Sequence, residues 1–172
     1  MNFELVPPIG IGPLRIGMSR DDATRALDSL SDVKEVSAAD QAGQHIFRPS
    51  GLMVSIGCMH NRLESVELGR PSAPSDLVGF RGIDVFGLPA REVVRRMAEV
   101  AAIEPADEAP ASFVAADLLL SFWRPFEADA EPDEEQGYYF SSVLLARPGY
   151  YDHPALDRSS GQTVHPTSGD TR

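Results

Sequence analysis

Cysteine occurs once in this chain, at Cys58, so no internal disulfide can staple the fold. Lysine also occurs once, at Lys34, against fourteen arginines, a bias that reads as GC-rich, bacterial coding rather than as chemistry. Positive charge is scarce overall, and the formal net charge is −11. Nucleic acid and anionic membranes favour basic surfaces, so neither is an expected partner. No stretch approaches the roughly 18 uncharged apolar residues of a membrane-spanning helix. Met1 to Pro13 carries no basic stretch, apolar run or small-residue cleavage site, so no signal peptide is read and a cytoplasmic protein is expected. What the chain does have is 172 residues, 42% of them hydrophobic, enough for one domain with a core of its own.

Signatures of catalysis are also missing. Gly10-Ile11-Gly12-Pro13 precedes a strand, whereas a nucleotide-binding turn follows one and opens a helix. The histidines His45, His60, His153 and His165 form no pair at helical metal spacing, so no metal site is expected. No Gly-x-Ser-x-Gly turn occurs. Cys58 and His60 would share a face of an extended strand, which makes them the best enzymatic candidates. A free cysteine beside an apolar run reads more simply as a packed thiol. The expectation is therefore a protein with no catalytic residues and no cofactor.

The informative feature is internal self-similarity. Gly12-Pro13-Leu14-Arg15-Ile16-Gly17-Met18 aligns with Gly82-Ile83-Asp84-Val85-Phe86-Gly87-Leu88. Leu52-Met53-Val54-Ser55-Ile56 aligns with Leu118-Leu119-Leu120-Ser121-Phe122, and Ser65 to Pro71 aligns with Ser142 to Pro148. The three matches come in the same order in both halves. Each half then reads as a strand, a helix, and antiparallel strands. The fold class expected is α+β, a tandem repeat with its helices on one face of a mostly antiparallel sheet. Its parts are an N-terminal segment (1–9), a first copy (10–71), a linker (72–79), a second copy (80–151) and a disordered tail (152–172).

Local signals fill in the elements. Ser19 is a good N-cap, with Asp22 three residues on and Ala23, Ala26, Leu27 and Leu30 at helical spacing behind it. Pro89 opens the second helix, whose apolar side is Val93, Val94, Met97 and Val100. Strands are expected at 45–48, 52–59, 62–68, 118–126 and 138–146, with His60-Asn61 as a hairpin turn. Between Glu127 and Glu135 six of nine residues are acidic, which reads as a mobile, solvated loop.

Period-two alternation then assigns faces. Leu52, Val54, Ile56, Val66 and Leu68 in the first copy, and Leu118, Leu120, Phe122, Val143 and Leu145 in the second, should pack under the helices. The far face of the first copy carries Met53, Ser55, Gly57, Ser65 and Glu67. That of the second carries Leu119, Ser121, Trp123, Phe140, Ser142 and Leu144, too apolar for a solvated face. Trp123 is the chain's only tryptophan, Arg124 follows it, and Tyr138 would share its face. Trp, Tyr and Arg dominate interface energetics. Trp123, Arg124, Leu119, Tyr138, Phe140 and Leu144 are therefore the expected partner-binding residues.

Ile16-Gly17-Met18-Ser19, leading into a helix and then antiparallel strands, resembles the Gly-Met-Ser/Thr turn of the SmpA/OmlA lipoprotein family. Two such units in tandem resemble the beta-lactamase-inhibitor-protein-like fold over residues 10–150. The second copy departs from the turn pattern with Gly87-Leu88-Pro89, and no lipid-attachment cysteine lies near Met1. The resemblance implies a binding module that uses its open sheet face, and it transfers no residue. The expected function is a non-enzymatic protein-binding module of immunity or inhibitor type, with the acidic segment steering a basic partner. The alternative is a homo-oligomeric or small-ligand-sensing domain that buries the same face.

Overall fold

The computed structural model describes residues 2–30, 33–35, 44–47, 50–73, 75–106, 109–128 and 135–150. The expected tail and most of the acidic segment lie outside them. The chain runs β1 (Asn2–Val6), β2 (Gly10–Ile11), β3 (Leu14–Arg15), α1 (Arg20–Asp28), β4 (Val33–Glu35), β5 (Gln44–Phe47), β6 (Leu52–Met59) and β7 (Arg62–Gly69). It continues through β8 (Leu77–Phe80), β9 (Ile83–Asp84), α2 (Ala90–Met97), β10 (Glu104–Ala106), β11 (Ala109–Ala115), β12 (Leu120–Trp123), the one-turn α3 (Glu135–Tyr138) and β13 (Ser142–Ala146). This is a mixed α+β protein with two mostly antiparallel sheets. The smaller is ordered β3-β2-β1-β8-β9, and its β1–β8 pairing is parallel. The larger is ordered β10-β11-β12-β13-β7-β6-β5-β4, so strands from both halves of the chain share it.

The local chemistry of α1 follows its sequence. The Ser19 side chain accepts the Asp22 backbone N–H at 3.1 Å, satisfying one of the orphan donors of the first turn. Ala23 and Leu27 are buried, and Ala26 and Leu30 pack at the edge of the same core. The hydroxyl of Ser19 and the guanidinium of Arg25 hold the Asp22 carboxyl below its usual range. In α2, Val93 and Met97 are buried, Val94 is half-buried, and Val100 lies beyond the helix and is exposed.

Glu92 sits in the first turn of α2 and takes Arg95 at 2.8 Å and Arg96 at 2.7 Å. These hydrogen-bonded guanidiniums lower its carboxyl from 4.5 to about 2. The folded value lies below the unfolded one, so the contribution is complete above pH 4.5 and is lost as pH falls toward about 2. The effect is small because the pairs are solvated. Thermal melts of Glu92→Gln should fall below wild type above pH 4.5 and converge with it near pH 2. A gap that stays constant over that range would reject these ion pairs as its source.

The hairpins use the turn chemistry their lengths demand. His60 and Asn61, between Met59 and Arg62, have φ of 49° and 62°, the left-handed pair that a two-residue turn of the primed type requires. Gly10 allows a close approach between β2 and the turn into β3, because a Cβ there would lie 1.9 Å from the Leu14 carbonyl oxygen.

Buried residues from both sheets and both longer helices form one hydrophobic cluster. Leu52, Val54, Ile56, Val66, Leu68, Leu120, Phe122, Val143 and Leu145 all belong to it, on the face alternation assigned to them. His45, opposite Val54, is fully buried, and neither ring nitrogen has a partner among the described residues.

Four expectations are corrected. The strand expected over 118–126 is only Leu120–Trp123. Ala116–Leu118 forms a 3-10 turn and Leu119 has φ of 56°, so Leu118 leaves the ladder and is only partly buried. The strand expected over 138–146 begins at Ser142, and Tyr138 ends α3 instead. Phe140 precedes that ladder and is fully buried rather than on the far face. Among the described residues no helix is long and apolar enough to cross a membrane.

Candidate functional site

Cross-strand register builds a continuous face at the centre of the larger sheet, opposite the core. One row reads Trp123, Ser142, Gly69, Met53 across β12, β13, β7 and β6. The next reads Ser121, Leu144, Glu67, Ser55, and a third reads Ala146, Ser65, Gly57. Trp123 is 49% exposed and Met53 37%, whereas Gly69 and Ser142 between them are sunk and buried. The first row thus carries an exposed apolar side chain at each end, and the Met53 methyl leans over Gly69. A Cβ on Gly69 would come within 3.1 Å of the Met53 Cε, and one on Gly57 within 2.2 Å of the Ser65 Oγ.

One charge stands in the middle of these rows. Glu67 accepts a hydrogen bond from the Ser142 hydroxyl at 2.7 Å through Oε1. Its half-buried carboxylate faces Leu144 across the β7–β13 pair.

The expected site residues divide. Trp123 and Leu144 lie on this face. Leu119 is half-buried in its left-handed turn, off the strand. Tyr138 packs edge-on against Tyr139, ring centroids 4.9 Å apart. Phe140 sits in the core, 5.3 Å from the Phe122 ring and 6.2 Å from the Phe113 ring. Arg124 is 3% exposed and donates to the Ala111 carbonyl at 3.2 Å and the Gly137 carbonyl at 2.7 Å. Neither Phe140 nor Arg124 is a surface group: β12 ends at Trp123, and Arg124 then turns inward to satisfy backbone that has left the ladder. Met53 and Glu67 were legible as far-face residues of the first copy. Their membership of the same site follows from the β7–β13 pairing, which sequence left open.

A separate groove of about 330 Å³ is lined by Arg70, Ser72, Asp76, Asp84, Phe86 and Tyr139, among others. Its charges are engaged within the chain. The Arg70 guanidinium lies 4.1 Å from the Tyr139 ring centroid, and Asp84 Oδ1 accepts the backbone N–H groups of Phe86 and Gly87. Asp76 accepts the Ser50 hydroxyl. These contacts brace the passage from β7 to α2. Cys58 is half-buried next to a β-bulge and His60 is in the hairpin turn, so the continuous strand that would align them is interrupted.

Comparison with protein-family models, with curated proteins and with solved structures gives no match.

Proposed function

We propose that this chain is a non-enzymatic protein-binding module of immunity or inhibitor type, and that it binds through the open face of its larger sheet. The observation that carries this reading is the exposed pair Trp123 and Met53 on one row of that face, with Gly69 and Ser142 between them. A half-exposed tryptophan on a mostly uncharged face is the kind of anchor that interfaces use.

The same reading takes the halves as duplicated units. Each contributes short strands, a helix and four strands, β2-β3-α1-β4-β5-β6-β7 and β8-β9-α2-β10-β11-β12-β13, with the one-turn α3 inserted between β12 and β13 of the second. Glu67 and Leu144, aligned by the sequence match, are also direct cross-strand partners. An approximate twofold axis through that pair would exchange the halves and fuse their far faces into one surface. The helices then cover the opposite side of the sheet, as in the inhibitor-protein-like architecture.

Trp123→Ala tests the function. Truncating an interface anchor costs about 2 kcal/mol or more, so partner recovery in a quantitative pull-down should fall roughly 30-fold. Melting should barely change, because Trp123 is half outside the core. Equal recovery by both proteins would reject this face. A dimer that resists dilution in light scattering, and that Trp123→Ala dissociates, would make the partner a second copy.

A further inference from the structure

We draw no further inference here: the strongest candidate, the open face of the larger sheet around Trp123, Met53 and Glu67, belongs to the site already described, and nothing in the structure shows what covers it.

Discussion

Phe140→Ala should lower unfolding stability by about 4 kcal/mol, the range for emptying an aromatic site in a packed core. Phe140 has no exposed surface and lies between Phe113, edge-on at 6.2 Å, and Phe122, tilted at 5.3 Å. Removing the ring deletes apolar burial and both aromatic contacts, and leaves a cavity that the ends of β11 and β12 close only partly. Chemical denaturation with a two-state fit measures the loss. The result separates two placements of one residue. On the open face the substitution would cost under about 1 kcal/mol and would weaken partner binding. In the core it is costly and acts on binding only through the folded fraction. A loss under about 1 kcal/mol would return Phe140 to the surface and undo the packing described for β12 and β13.

That residue also marks where sequence stopped being legible. Alternation is reliable along an unbroken strand, and it placed Leu52, Val54 and Ile56 of β6 and Val143 and Leu145 of β13 in the core. It fails where the ladder is shorter than the apolar run that suggests it. Phe140 has the parity of Ser142 and Leu144, but the strand begins only at Ser142, so parity does not extend back to it. Leu118, Leu119 and Leu120 look like one strand, yet Leu119 takes a left-handed φ and only Leu120 joins the ladder. Nothing in a run of three leucines announces a 3-10 turn.

Short elements were hidden for a related reason. β1 lies in the stretch read as an N-terminal segment, although Phe3 and Leu5 alternate into the core, and β8 lies in the stretch read as linker. Each is only four or five residues long, and each is held by pairing with the other across some 75 positions of sequence. Such pairing leaves no local periodicity. The α1 cap and the His60-Asn61 hairpin were readable because their causes are local. Half of the candidate site, Trp123 and Leu144, could be named from one copy. Met53 and Glu67 joined it only once β7 and β13 were seen side by side.

Arg124→Met should cost about 3 kcal/mol, and the loss should be nearly independent of salt. Methionine keeps much of the buried apolar stem and removes the guanidinium. The Ala111 carbonyl then loses its donor, at about 1–3 kcal/mol, and the Gly137 carbonyl loses its shorter bond and keeps only the Ala128 N–H at 3.3 Å. The third contact, Glu127 at 3.0 Å, contributes little, because that carboxylate is 54% exposed and solvent screens it. The guanidinium also lies 6.0 Å from the Phe140 ring centroid, so the two substitutions share an environment and their effects should not add. Arg124→Lys separates geometry from charge. An ammonium keeps the charge near Glu127 but lacks the planar fork that reaches two carbonyls, so it should recover less than half of the loss. Urea denaturation of wild type, Arg124→Met and Arg124→Lys at low and high sodium chloride decides the matter. Full rescue by lysine, or a difference that high salt abolishes, would make the Glu127 ion pair the cause and would leave the turn after β12 held by something other than Arg124.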